Sequence, residues 1–108
     1  MRPGQKKPKK EELFLGQKLI EKELLDLILR IQGNLKENFQ IDIKEAAISL
    51  PKRLDIKTSE NWQIYFNLES DIDLQIIKLN LLLKQEITAE IREELEYIDL
   101  RFTRVYYK

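Results

Sequence analysis

The sequence predicts an α+β domain in which two main helices pack on one face of a mostly antiparallel, or mixed, sheet. Three observations carry this. The apolar residues recur at helical spacing from about Gly16 to Leu35, at a period of two between 41 and 68, and at helical spacing again from about Asp71 to Glu86. A short helical turn and one more strand-prone segment, "YIDLRFTRVYYK" at 97–108, complete the chain.

In the first helix Ile20, Leu24, Leu27, Ile28, Ile31 and Leu35 share one face. Gly33-Asn34 reads as its stop signal, although Leu35 and Phe39 continue the pattern loosely. The strands follow. Ile41 and Ile43 alternate with Asp42 and Lys44, Pro51 punctuates, and Leu54 and Ile56 alternate with Asp55 and Lys57. After the polar turn at 58–61, Trp62, Ile64, Phe66 and Leu68 form an uninterrupted alternating row, so 54–68 is expected to be a hairpin with this row at the middle of the core.

Ser70 with Asp73 three residues later reads as the N-cap of the second main helix, and Asp71 adds a carboxylate where the helix dipole favours it. Ile72, Ile76, Leu79, Leu83 and Ile87 form its main stripe, while Leu74, Ile77 and Leu81 form another on nearly the opposite side. The expectation is that both are covered, one by the sheet and one by the first helix. An exposed patch meeting another protein is the alternative. Thr88 caps the following turn, with Ile91 and Leu95. In the closing segment Ile98, Leu100 and Phe102 are expected in the core, with Asp99 and Arg101 on the opposite face and a bulge or kink near Thr103-Arg104. The helical crossover from 68 to 97 lets this strand lie parallel to a neighbour, in which case the connection is right-handed.

Composition narrows the function. The 108 residues are the length of one domain, and 43% hydrophobic content suffices for a core. Residues 1–12 read as a basic tail and 13–108 as the domain, because the first ten residues carry five basic groups and no acid. The remainder holds 14 basic against 19 acidic groups, a mildly acidic body. With no cysteine and no histidine the chain offers no disulfide, no thiol nucleophile and none of the usual zinc ligands. No cofactor is expected. No apolar run is long enough to span a membrane, and no signal-peptide core follows the basic start.

Paired acids such as Asp71 with Asp73, Glu93 with Glu94, and Glu96 near Asp99 are most simply solvated surface groups. A hydrolase would need two of them to converge in a pocket. Tyr65, Tyr97, Tyr106, Tyr107 and Trp62, with the basic tail, suggest a second function class, a small nucleic-acid-binding protein. The acidic body and the missing strand motifs of RNA-binding sheets weigh against it.

The segments "NWQIYFNLESDIDLQIIKLNLLLKQEI" and "LEYIDLRFTRVYYK" resemble, in order and spacing, the C-terminal half of the FtsQ/DivIB cell-division proteins. The shared features are a tryptophan-bearing hairpin strand at Trp62–Leu68, a helix containing Lys78-Leu79, and a closing strand bearing Asp99-Leu100-Arg101. The resemblance covers about residues 13–108; the family's transmembrane helix and POTRA domain are not in this sequence. It implies a non-enzymatic divisome component, on the extracytoplasmic face of the bacterial inner membrane if the chain is a fragment of a full-length member; as written, the sequence reads as soluble. It further implies FtsB/DivIC-like and FtsL-like partners, bound by strand addition at the end of the domain. On this reading the partner-binding residues are Tyr97, Phe102, Thr103, Arg104, Val105, Tyr106 and Tyr107.

Overall fold

The computed structural model describes residues 22–49 and 52–108. The expected basic tail and the start of the first helix lie outside the described residues. The elements are α1 (Lys22–Phe39), β1 (Ile43–Ser49), β2 (Arg53–Thr58), β3 (Gln63–Asn67), α2 (Ile72–Gln85), α3 (Ala89–Glu93), β4 (Tyr97–Asp99) and β5 (Tyr106–Tyr107). The five strands form one sheet in the order β1-β2-β3-β4-β5. Three neighbouring pairs are antiparallel, and β3 with β4 is parallel. The sheet is mixed.

Alternation along β2 and β3 decides which face is covered. Leu54, Ile56, Ile64 and Phe66 are fully buried, as is Trp62 just before β3, and they form one core with Ile31 and Leu35 of α1 and Ile76, Leu79 and Leu83 of α2. Both main helices therefore lie on the same face. The intervening residues Arg53, Asp55, Lys57, Gln63 and Tyr65 stay half-exposed on the other.

Two polar side chains dock the helices onto strand ends. Gln75, buried on the inner side of α2, accepts from the Asn67 N–H at 2.9 Å and donates to the Asn67 carbonyl at 2.9 Å. Gln32 of α1 accepts from the Ile43 N–H at 2.6 Å. Each satisfies backbone groups that would otherwise be stranded at the end of a ladder. Between the helices, Asn34 and Asn80 exchange amide hydrogen bonds, and Arg30 pairs with Asp73.

The hairpin expected at 54–68 forms, with a three-residue loop whose last residue, Asn61, takes φ 75°. Asparagine tolerates that left-handed conformation better than most residues. Buried Thr58 donates its hydroxyl to the Trp62 carbonyl at 3.0 Å and accepts from the Glu60 N–H, closing the turn from inside.

Three details differ from the sequence expectation. Gly33-Asn34 does not end α1, which runs on to Phe39 and stops at Gln40 (φ 60°), whose N–H bonds the Lys36 carbonyl at 3.0 Å. Burial of Leu35 and the packing of Phe39 outweigh the propensity cost of one glycine. The N-cap of α2 is Asp71, whose carboxylate accepts from the Leu74 N–H at 3.1 Å; Ser70 lies one residue too early. Finally, Leu74, Ile77 and Leu81 are 47%, 53% and 49% exposed. The first helix sits at the flank of α2, against Asp73 and Asn80, and leaves this outer stripe uncovered by the described residues.

A Cβ added at Gly33 meets nothing within 4 Å. Gly33→Ala should therefore raise unfolding free energy by about 0.5–1 kcal/mol, read from the urea midpoint at unchanged slope, because a helical glycine costs chain entropy that alanine does not.

Candidate functional site

The C-terminal edge is built on β4. That strand pairs in parallel with β3 (Gln63↔Tyr97, Ile64↔Ile98, Tyr65↔Asp99) and antiparallel with β5 (Ile98↔Tyr107, Asp99↔Tyr106). The strand expected over 97–102 is thus shorter, and the closing segment 97–108 is two strands joined by a reversal. The first of them ends at Asp99. The Asp99 carboxylate accepts from the Arg101 N–H at 3.1 Å and from the Arg101 guanidinium at 2.9 and 2.8 Å, which bends the chain back on itself. The Leu100 N–H bonds the Tyr65 carbonyl at 3.0 Å and its side chain is 1% exposed, so the core contact is made just before the turn.

This geometry corrects one expectation and refines another. Phe102 is not in the core: it is 51% exposed, edge-on to Tyr106 at 6.0 Å, with the Arg101 guanidinium 5.0 Å from its ring centroid. The bulge or kink expected near Thr103-Arg104 takes the form of a sharp bend over 101–104 that reverses the chain, and Tyr106 and Tyr107 return to pair with β4 itself. The Lys78 ammonium donates to the Thr103 carbonyl at 3.1 Å and ties this turn to α2.

Along the ladder, Tyr97 and Lys108 exchange both backbone hydrogen bonds (3.2 and 3.1 Å). Antiparallel alternation then turns the N–H and C=O of Tyr107 away from β4, to the open edge. The aromatic rings straddle that edge. Tyr107, on the helix side, lines a shallow groove of about 480 Å³ with Lys78, Leu81, Leu82, Arg104 and Val105; Tyr106 stands with Phe102 on the open side. Among the expected contact residues, Phe102, Thr103, Arg104, Tyr106 and Tyr107 are exposed and Val105 is partly buried. Tyr97 stands apart from them. Half-buried, it stacks on Tyr65 at 5.6 Å between ring centroids and belongs to the open sheet face.

That face is internally paired. The Arg53 guanidinium lies 4.5 Å from the Tyr65 ring centroid while binding Asp55 through two hydrogen bonds of 2.6 and 2.9 Å. Its aromatic rings and cations are already engaged with each other, which does not favour nucleic acid. Burial raises the Asp99 carboxyl, but the side-chain and backbone hydrogen bonds from Arg101 more than offset it and hold the group below the ordinary carboxylate range.

Sequence reasoning did not single out Glu60 and Arg92. Glu60 accepts from the Trp62 indole at 3.0 Å and from Arg92 at 2.7 and 2.6 Å, and the Arg92 guanidinium also reaches the Phe39 carbonyl at 3.4 Å. Hydrogen bonding from Arg92 lowers the Glu60 pKa. The cleft of about 470 Å³ beside this pair is lined by Glu60, Ala89, Arg92 and Glu93; of the acid pairs weighed from the sequence one member, Glu93, lines it, and the other carboxylate there, Glu60, is held by Arg92 and Trp62. The group reads as a clamp joining α3 to the β2–β3 turn and the end of α1.

The family model described as "Cell division protein FtsQ/DivIB, C-terminal" matches residues 3–101. The chain belongs to the FtsQ/DivIB C-terminal family. No curated protein matches it. Members of this family are non-enzymatic scaffolds of cell division, and the FtsQ/DivIB domain carries a protein-interaction role in the divisome at the septum. The matched stretch takes in the Asp99-Leu100-Arg101 turn and ends there, so Phe102–Tyr107 lie beyond it. No helix among the described residues is long and apolar enough to cross a membrane.

Two outcomes test this geometry. Phe66→Ala should cost about 3–5 kcal/mol and Phe102→Ala under about 1 kcal/mol in denaturant unfolding, because only the first removes a fully buried ring. The depressed Asp99 pKa contributes stability that is complete above about pH 4 and is lost as pH falls through the lower folded value. Asp99→Asn should remove that part of the acid transition and speed amide exchange at Tyr106 and Lys108.

Proposed function

We propose that this domain binds a divisome partner by strand addition to the outer edge of β5, with Tyr106, Tyr107 and Phe102 as aromatic anchors and Thr103, Arg104 and Val105 flanking them. Tyr97 contributes indirectly, by holding Lys108 in register from β4. The observation that carries the reading is the open edge: the backbone N–H and C=O of Tyr107 point away from the sheet, with exposed aromatic rings on both faces beside them. An unpaired edge offers backbone hydrogen bonds as affinity, and rings on alternate faces offer side-chain selectivity. Partners of the FtsB/DivIC and FtsL kind are those that family membership suggests. As in full-length members, the site would face the extracytoplasmic side of the membrane.

A peptide from an FtsB-like partner should protect the Val105 and Tyr107 amides from hydrogen exchange and leave those of β1 unchanged. Tyr107→Pro removes the outward donor at a position where an edge strand tolerates proline, and Tyr106→Ala removes an anchor without touching the backbone. Each should weaken binding at least tenfold. Unaltered exchange at saturating peptide would sink the assignment.

A further inference from the structure

Tyr106 and Tyr107, the two residues of β5, are 51% and 40% exposed, so the place of this strand on the sheet is inherited from β4 rather than made by its own packing. We infer that Glu60 and Arg92 are positioning residues for the strand-addition edge: their clamp fixes Glu96 and Tyr97 at the entry to β4, and these in turn hold β5. The effect on partner binding rests on the strand-addition reading; the effect on β5 does not.

Two short stretches, 60–63 and 92–96, close into a ring. Glu60 accepts two hydrogen bonds from the Arg92 guanidinium, at 2.7 and 2.6 Å, and one from the Trp62 indole at 3.0 Å. The ring closes again where the Gln63 N–H donates to the Glu96 carbonyl at 3.0 Å. Between these contacts the Leu95 N–H bonds the Arg92 carbonyl at 3.3 Å and the Leu95 side chain is buried, so the intervening residues are themselves held. The Glu96 N–H then donates to the Lys108 carbonyl at 2.6 Å, beside the Tyr97 N–H at 3.2 Å. Glu96 thus binds β3 through its carbonyl and the end of β5 through its amide, and a shift of α3 moves both bonds together.

None of the side chains of α3 is buried, so packing alone does not fix where this short helix sits. The guanidinium fork does. Two parallel N–H···O bonds admit few arrangements, and side-chain exposures of 27% and 36% shelter the pair from the screening that weakens a surface contact. The same guanidinium reaches the Phe39 carbonyl at 3.4 Å and so refers the position of α3 to the end of α1 as well.

Amide exchange on the full chain tests the clamp. Arg92→Ala and Glu60→Ala should each speed exchange at Gln63, Glu96, Tyr97 and Lys108 by about fivefold or more, while Ile56 and Ile64 in the β2–β3 ladder stay unchanged. Arg92→Lys, which keeps the charge but not the fork, should give the same pattern. Affinity for an FtsB-like peptide should fall by a similar factor in all three. Gln32→Ala breaks a polar dock at the far border of the sheet and should leave those four amides and the affinity unchanged, whatever it costs in stability. Linkage also runs the other way: saturating peptide should slow exchange of the indole proton of Trp62, the one tryptophan in the chain. Unchanged exchange at Glu96, Tyr97 and Lys108 in both Arg92 variants overturns the proposal, as does equal acceleration by Gln32→Ala or an indole proton indifferent to bound peptide. A wild-type chain that fails to bind the peptide overturns the strand-addition reading instead, and exchange in the Arg92 variants then still decides the clamp.

Discussion

The last twelve residues are joined to the rest of the sheet by one three-residue parallel pairing, β3 with β4. Everything at the C-terminal edge depends on it. Gln63 donates its N–H to the Glu96 carbonyl at 3.0 Å at one end, and Leu100 donates to Tyr65 at 3.0 Å at the other. Ile98 and Leu100 anchor the pairing in the core. A parallel neighbour cannot be reached by a tight hairpin, so the chain must cross over through α2 and α3 to arrive. The crossover helix covers the central strand on the way, and Gln75 pins it to the end of β3. One topological requirement thus places the main helix and the C-terminal edge strand together.

Polar contacts near that pairing set direction more than they add stability. The Asp99–Arg101 fork is local, two residues apart, and its effect is to stop β4 and reverse the chain. The Glu60–Arg92 clamp is nonlocal, and it fixes where α3 delivers the chain into β4, with the Trp62 indole as third member. Paired guanidinium and carboxylate groups of this kind restrict geometry because two parallel hydrogen bonds admit few arrangements. Exposed pairs such as Lys22–Asp26 have no such reach, and solvent screens them.

Much of this architecture was legible in the residues. The Trp62-Ile64-Phe66 row and the main stripe of α2 were readable because burial on one face imposes a strict period. Gly33 misled because propensity is local, whereas the packing of Leu35 and Phe39 that carries α1 past it is tertiary. The reversal after Asp99 was missed because it uses neither glycine nor proline. Its signal was an aspartate two residues before an arginine, which reads equally well as two members of a strand face. The outer stripe of α2 was visible as a pattern, but a sequence does not say from which side a helix is covered. Tyr106 and Tyr107 were already expected at the partner-binding end of the domain, whereas the exposure of Phe102 became visible only after the turn placed it outside the core.

The two borders of the sheet are unlike. β1 carries a bulge between Ile43 and Glu45, with Lys44 and Glu45 exposed beside it, and such interruptions spoil the flat, continuous row of backbone groups that another strand would need. At the opposite border the row is short but unobstructed. Fibre growth requires a chain to be receptive on both sides at once. With the β1 border blunted, copies of this chain have no second receptive side among the described strands from which edge-to-edge growth of the sheet could continue.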